Sequence, residues 1–154
     1  MSVAEGDAAP DFNMAATGGR TVSLAAMKGR PFVLYFYPKA DTPGCTTEAC
    51  AFQEALPALG KIGIEVIGVS KDALKPIEKF AEKYSLSFPL ASDVSEVAEA
   101  FGSWGEKSMY GKKYMGIDRS TFLVDKHGKI ARVWRKVKVP GHAAEVMAAA
   151  QALG

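Results

Sequence analysis

Cysteine and histidine are scarce in this chain of 154 residues, which contains two of each. Two cysteines are too few for the disulfide framework that holds together many small secreted domains. No apolar run approaches the roughly 18 residues that a membrane helix requires. The first residues carry acids and lack the apolar segment of a secretory signal. We therefore expect a cytoplasmic protein without a membrane partner, whose two thiols are redox-active or bind a metal rather than forming a structural disulfide.

Repeats, low-complexity segments and Pro/Gly/Ser-rich linkers are also missing. The composition is that of an ordinary globular protein, with 48% hydrophobic and 23% charged residues. A chain of this length and composition can bury a real core. We expect one domain, spanning 1–154.

Charge is nearly balanced, at +2 overall, but positive residues concentrate toward the C-terminal part. The segment 104–140 contains ten Lys or Arg against three acids, a net +7. A solvated face is the favoured interpretation. A docking surface for an acidic protein comes second. A nucleic-acid partner is not expected, because the basic residues lack interleaved stacking aromatics and no nucleic-acid motif is present.

Apolar runs and helical periodicity alternate along the chain. Two continuous apolar runs predict strands buried on both faces, and a helix-length segment separates them as in a crossover unit. Two later runs joined by Lys126-His127-Gly128 predict an antiparallel hairpin. These elements predict an α/β protein with a mixed central sheet and helices on both faces, compatible with a thioredoxin-like fold. The predicted strands are 31–37, 64–70, 120–125 and 129–135, and the predicted helices are 43–59, 74–84 (with its first turn at Pro76), 93–102 and 141–154.

The two cysteines occur in "YPKADTPGCTTEAC", directly after the first buried run. Thr42 suits an N-cap and Pro43 suits the first helical position, so a helix is predicted to start here. Cys45 then lies in the first turn, where unpaired N–H groups and the helix dipole favour a negative charge. This position makes Cys45 a candidate nucleophile. The plainer alternative is that Cys45 is a small buried hydrophobic residue.

Cys50 follows five residues later. On one regular helix the two Cα atoms would lie about 8.7 Å apart and about 140° around the axis. A disulfide requires a Cα separation of roughly 4.4–6.8 Å. This spacing favours a cycle of two conformations, one helical and one locally unwound so that the thiols meet. Alternatively, Cys50 is a packing residue beside Phe52.

The string "YFYPKADTPGCTTEACAF" resembles the active-site segment of the peroxiredoxins, whose pattern of Pro, Thr and Cys corresponds here to Pro38, Thr42 and Cys45. Together with Cys50, the segments "YGKKYMGIDRSTFLVDKHGKI" and "VKVPGHAAEV" are similar to the Q-type subgroup, the bacterioferritin comigratory proteins. The resemblance covers nearly the whole chain. It implies a thioredoxin-like fold, no cofactor, reduction of hydrogen peroxide and organic hydroperoxides, recycling by thioredoxin or glutaredoxin, and a monomer.

The resemblance also implies residue roles. Cys45 would attack the peroxide, and Cys50 would resolve the resulting sulfenic acid as an intramolecular disulfide. Arg119 would stabilise the thiolate and donate hydrogen bonds to the peroxide. Thr42 would exchange hydrogen bonds with the peroxide, and Pro38 would shield the sulfur from water.

Two of the charged candidates have plainer interpretations. Without the resemblance, Arg119 would be taken as an ordinary surface cation. Glu48, three residues after Cys45 on the predicted helix, could orient Arg119 as an acceptor. The favoured interpretation of Glu48 is an exposed first-turn acid stabilised by the helix dipole.

Three other functions stay open on the residues alone. A thioredoxin-type disulfide oxidoreductase is disfavoured by four rather than two residues between the cysteines. A copper-binding thiol protein would need a histidine, and only His127 and His142 are available, so no metal site is predicted. The third is a non-enzymatic interaction module that uses the basic segment 104–140.

Overall fold

The structure is a computed structural model that describes residues 3–153. In these residues it contains nine strands, four α-helices and two short 3-10 turns. In chain order the strands are β1 (Asn13–Ala15), β2 (Thr21–Ser23), β3 (Phe32–Phe36), β4 (Glu65–Ser70), β5 (Leu90–Ser92), β6 (Trp104–Met109), β7 (Lys112–Ile117), β8 (Ser120–Val124) and β9 (Ile130–Trp134). The helices are α1 (Pro43–Lys61), α2 (Leu74–Lys83), α3 (Val97–Ala100) and α4 (His142–Ala152).

The central sheet has five strands in the order β5-β4-β3-β8-β9. Strands β3, β4 and β5 are parallel, whereas β8 pairs antiparallel with both β3 and β9. This is the predicted mixed sheet. All five residues of β3 are buried, because the strand lies at the centre of the sheet with both faces covered.

Each face of the sheet packs against its own core. Helices α1, α2 and α4 contribute to the cluster on one face, which contains Tyr35, Phe52 and Phe80. The β1–β2 ribbon and α3 contribute to the cluster on the other face, which contains Phe12, Phe36 and Phe101. Helices therefore cover both faces, as predicted, although α3 is only four residues long.

The predicted helix 93–102 is wrong over most of its length. The helix begins only at Val97, because the buried Asp93 carboxylate accepts hydrogen bonds from the backbone N–H groups of Ser95, Val97 and Ala98. Such local bonds give the backbone an alternative to helical pairing. The helix ends at Ala100, because Gly102 adopts a positive φ of 74° that terminates the helix. The predicted helix 74–84 is observed as Leu74–Lys83, and it begins at Leu74 rather than at Pro76, which lies in its first turn.

The sequence patterns did not predict two antiparallel two-stranded ribbons, β1–β2 and β6–β7. Strands β1 and β2 have three residues each, too few to show alternation. Strands β6 and β7 form a hairpin through Tyr110 and Gly111, whose φ angles are 52° and 76°. Positive φ at both central residues is the geometry of a tight hairpin turn, but Tyr-Gly is not among its usual sequence signals.

None of the helices in residues 3–153 combines the length and the apolar character needed to cross a bilayer.

Candidate active site

Helix α1 begins where the sequence predicted. Thr42 has extended φ and ψ angles of −96° and 156° and occupies the N-cap position, and Pro43 is the first helical residue. The expectation that the Thr42 side chain caps the helix is wrong. Its hydroxyl instead donates to the Lys39 carbonyl oxygen at 2.8 Å. This bond folds the loop back on itself and leaves the lone pairs of Thr42 Oγ1 as acceptors.

Cys45 lies in the first turn of α1 and is 2% exposed. The guanidinium of Arg119 reaches it from the loop between β7 and β8, with Nη2 3.2 Å from Cys45 Sγ. The sheet register explains this approach. Ser120 pairs with Phe36, so the residue before Ser120 lies beside the chain leaving β3, which leads into α1. Cys45 and Arg119, 74 residues apart in sequence, are thereby in contact.

Glu48 is the third member of this cluster. Arg119 Nη1 donates to Glu48 Oε1 at 2.6 Å. The favoured expectation of an exposed acid is wrong, because Glu48 is only 1% exposed. Three residues after Cys45, it lies on the same side of α1 and faces the guanidinium. The weaker alternative, in which Glu48 orients Arg119, agrees with the observed contact.

Burial and the neighbouring charges together set the protonation preferences of Glu48 and Arg119. It raises the pKa of Glu48 to about 7, although Arg119 acts in the opposite direction. For Arg119, burial disfavours the charge, but Glu48 and Cys45 outweigh it and raise the pKa above its ordinary value. The guanidinium therefore remains a permanent cation beside the thiol.

Cys50 is half-buried in the same helix, and the two cysteines are not bridged. One continuous α-helix spans both residues, from Pro43 to Lys61. The thiols are therefore separated by regular helical geometry, the condition under which a disulfide cannot close. Pro38 is half-buried just after Tyr37, at the end of the chain segment leaving β3.

Two buried groups beneath the site were missed by the sequence patterns. Tyr35 lies in β3 with its ring stacked on Phe52 at a centroid distance of 4.7 Å. His142, at the start of α4, shares a 2.7 Å hydrogen bond with Thr121 Oγ1. In the sequence, Tyr35 was visible only as part of an apolar run, and His142 only as a residue of the predicted helix 141–154. The helical position of His142 is confirmed, and its burial depends on tertiary packing that local patterns do not contain.

The structure gives less support to the other functions that the sequence left open. Within residues 3–153, no three His, Cys, Asp or Glu side chains are grouped so as to hold a metal ion. His127 lies in the turn between β8 and β9, and His142 is bonded to Thr121. In the basic segment, Lys107 donates to the Ile117 carbonyl and Arg135 donates to the carbonyls of Gly102 and Phe101. Lys107 and Arg135 therefore stabilise the fold itself through hydrogen bonds to the backbone.

The chain is similar in sequence to a known protein family and to several members of it. A model described as "AhpC/TSA family" matches residues 5–133, most of the chain. The chain is 49% identical to a putative peroxiredoxin bcp of Coxiella burnetii, over 96% of this chain and 98% of the relative. It is 47% identical to peroxiredoxin Bcp of Bacillus subtilis, over 96% of this chain and 94% of that protein.

A solved structure shares the architecture. It is that of a Xanthomonas campestris bacterioferritin comigratory protein, described in connection with alkyl peroxide reduction activity and a trapped intermediate. It superposes with a TM-score of 0.87 at 45% identity, covering 92% of this chain and 90% of that one. The thioredoxin-like fold expected from the sequence is therefore confirmed.

Proposed function

Since the chain belongs to the AhpC/TSA family and is a thiol-dependent peroxidase of the Bcp and peroxiredoxin Q type, we propose a role for each residue around Cys45. Cys45 is the peroxidatic cysteine. The observation that carries this proposal is the 3.2 Å approach of Arg119 Nη2 to Cys45 Sγ at the start of α1. A permanent cation and the unpaired N–H groups of a helix N-terminus both favour the thiolate, which is the nucleophilic form.

The chemical step is a two-electron oxidation of sulfur. The Cys45 thiolate attacks the hydroxyl-bearing oxygen of a peroxide R–O–O–H. An S–O bond forms as the O–O bond breaks, giving a sulfenic acid on Cys45. The second oxygen leaves as alkoxide or hydroxide and takes a proton from solvent. Hydrogen peroxide and organic hydroperoxides both provide this bond, and we propose both as substrates.

Arg119 acts on the substrate as well as on the thiol. Negative charge moves from sulfur to the leaving oxygen during the reaction. Fixed donors that face this charge are worth more in the transition state than in the ground state. The guanidinium is held in place because Glu48 accepts its second N–H group at 2.6 Å. Glu48 is therefore a positioning residue.

Thr42 and Pro38 complete the proposed site. Because the Thr42 hydroxyl donates its hydrogen to Lys39, its oxygen can accept the peroxide O–H and orient the substrate toward the sulfur. Pro38 lacks a backbone N–H, so it can cover one side of the site without adding a donor that competes for the thiolate.

Cys50 resolves the sulfenic acid. Its thiolate attacks Cys45 sulfur, an S–S bond forms, and the sulfenic oxygen leaves as water after taking up a proton. Residues of the first turns of α1 must leave the helix for this step, because both cysteines lie in one regular helix. We propose that thioredoxin or glutaredoxin then reduces the disulfide, and that the chain works as a single-domain cytoplasmic monomer, as its Q-type relationship suggests.

Stopped-flow measurement of peroxide consumption tests these assignments. The wild type with a dithiol reductant should turn over continuously, and Cys45→Ser should be inert. Cys50→Ser should react with about one equivalent of peroxide at the wild-type rate and then stall with a thioredoxin system. If Cys45→Ser consumed peroxide as the wild type does, the proposal would be wrong. If both single variants lost the first turnover equally, Cys50 would not be a resolving residue.

A further inference from the structure

The guanidinium of Arg119 is shared by two acidic groups. Nη2 lies 3.2 Å from Cys45 Sγ, and Nη1 donates to Glu48 Oε1 at 2.6 Å. Cys45 is 2% exposed and Glu48 is 1% exposed, so water screens neither group effectively. If both groups were ionised, the cluster would carry two negative charges against one positive charge in a buried site. Like charges in such a site oppose each other's ionisation.

A second observation indicates that a negative charge on Glu48 is unfavourable. Its other carboxyl oxygen, Oε2, is buried and has no hydrogen-bond partner among the described residues. In the protein interior, a carboxylate oxygen without a hydrogen-bond partner costs more free energy when the group is charged than when it is a neutral carboxyl group. The surroundings of Oε2 therefore favour a carboxyl that holds a proton.

The other titratable groups near Glu48 and Arg119 carry no compensating charge. Burial, with a contribution from Glu48, raises the pKa of Tyr35 well above its usual value. Burial also raises the pKa of Tyr37, so both phenols stay neutral at pH 7. Burial lowers the pKa of His142 in α4, against the influence of Glu145, and this imidazole is also neutral. Arg119 is thus the one cation available to Cys45 and Glu48 among the described residues that face them.

We propose that Cys45 and Glu48 share a single proton, so that the reactive thiolate coexists with a neutral Glu48 carboxyl. In this form a proton has moved from the thiol to the carboxylate, and the net charge of the three groups stays at zero. Glu48 acts here through Arg119 and Cys45, as a positioning residue that also regulates the charge of the site. The inference rests on the proposed role of Cys45 as the thiolate nucleophile.

A neutral Glu48 still accepts the Arg119 hydrogen bond through Oε1. The guanidinium is therefore oriented without being neutralised, and its charge remains available to the thiolate and to the leaving oxygen. When Cys45 loses its negative charge by oxidation or alkylation, Glu48 becomes the better partner for Arg119 and releases its proton.

Proton release on alkylation tests this coupling. The full chain is used in a Cys50→Ser background, so that iodoacetamide meets one thiol. Absorbance near 240 nm, where a thiolate absorbs more strongly than a thiol, first establishes that Cys45 is ionised at about pH 7. Alkylation of a thiolate by itself releases no proton. We expect release of a measurable fraction of a proton per alkylated Cys45, because Glu48 ionises as the thiolate disappears.

Glu48→Gln is the decisive variant, because glutamine keeps an oxygen that can accept from Arg119 but cannot hold the shared proton. We expect alkylation of its thiolate to release no proton above background. Glu54→Gln is the matched control, since Glu54 is exposed on the same helix and should leave the release unchanged. Equal release with and without the Glu48→Gln substitution, with the thiolate present in both proteins, would overturn the inference while leaving the proposed function intact. A missing thiolate signal in both would overturn the proposed function together with the inference.

Discussion

Arg119 joins Cys45 to Glu48 across the active site, with its two terminal nitrogens 3.2 Å from the sulfur and 2.6 Å from the carboxyl oxygen. This fork requires a planar guanidinium, since a lysine ammonium is a single point charge that cannot reproduce both contacts in the same geometry. The sulfur and the carboxyl group thereby keep fixed positions relative to one cation.

Replacing Arg119 should therefore impair the first chemical step. We expect Arg119→Met to lower the second-order rate constant for peroxide about 100- to 1000-fold, the usual effect of removing one preorganised donor. The rate constant of Arg119→Lys should lie between those of Arg119→Met and the wild type, because lysine keeps the positive charge but cannot make both contacts of the guanidinium. Stopped-flow kinetics measure both. The control is Arg30→Met, since Arg30 forms a half-exposed ion pair with Glu65. A wild-type rate in Arg119→Met would contradict the assignment.

Thr42 provides a second test of substrate contacts. Thr42→Val removes the hydroxyl and keeps the branched shape, and should slow reaction with peroxide about tenfold, the value of roughly one hydrogen bond. Thr42→Ser should stay close to wild type. Thr47→Val is the matched control, because the Thr47 hydroxyl donates to the Pro43 carbonyl on the exposed side of the same helix. If Thr42→Val and Thr47→Val behaved alike, Thr42 would have no special contact with substrate.

Resolution by Cys50 predicts a change in backbone order. In the reduced protein, amides of the first turns of α1 should be protected from hydrogen exchange, because this part of the chain is regular helix. Formation of the Cys45–Cys50 disulfide should remove protection over 42–52 and leave β3 protected. Oxidised Cys50→Ser cannot form the bridge and should keep the reduced pattern. Identical protection in the oxidised and reduced wild type would exclude the unwinding step.

His142 predicts a pH dependence of stability. Its pKa is lowered by burial, so the unfolded chain binds the proton more tightly than the folded protein does. Stability from this residue is therefore present above its unfolded pKa of about 6.5 and is lost as the pH falls below that value. We expect His142→Gln to lose less unfolding free energy than wild type between about pH 7 and pH 5, measured by urea denaturation. His127→Gln, in the exposed β8–β9 turn, should keep the wild-type dependence.

Local signals were sufficient for the elements that position the nucleophile. The buried run before Pro38 became β3, and the Thr42-Pro43 start of α1 placed Cys45 in its first turn, because caps and proline act within a few residues. Local signals did not predict the contact between Glu48 and Arg119. Their contact spans 71 residues and depends on the register of β8 with β3, which no local pattern encodes. Only the family resemblance predicted the role of Arg119, and it did not predict the burial of Glu48.

The same distinction explains the errors in secondary structure. The segment 93–102 has helical periodicity, but hydrogen bonds from backbone N–H groups to the Asp93 carboxylate delay the helix start to Val97, and the positive φ of Gly102 ends it at Ala100. The β6–β7 ribbon was not predicted, because its turn residues Tyr110 and Gly111 are a rare choice for a tight hairpin. In both cases a specific side-chain or turn conformation overrode the average preference of the sequence.

The most direct test of the central claim is to identify the residue that receives the peroxide oxygen in a single turnover. Cys50→Ser protein should be treated with one equivalent of peroxide in the presence of a sulfenic-acid trap such as dimedone, and then digested and mapped by mass spectrometry. We predict a stoichiometric adduct on the peptide that contains Cys45. Consumption of the peroxide with no modification at Cys45, or with oxygen recovered only on methionine residues, would contradict the account.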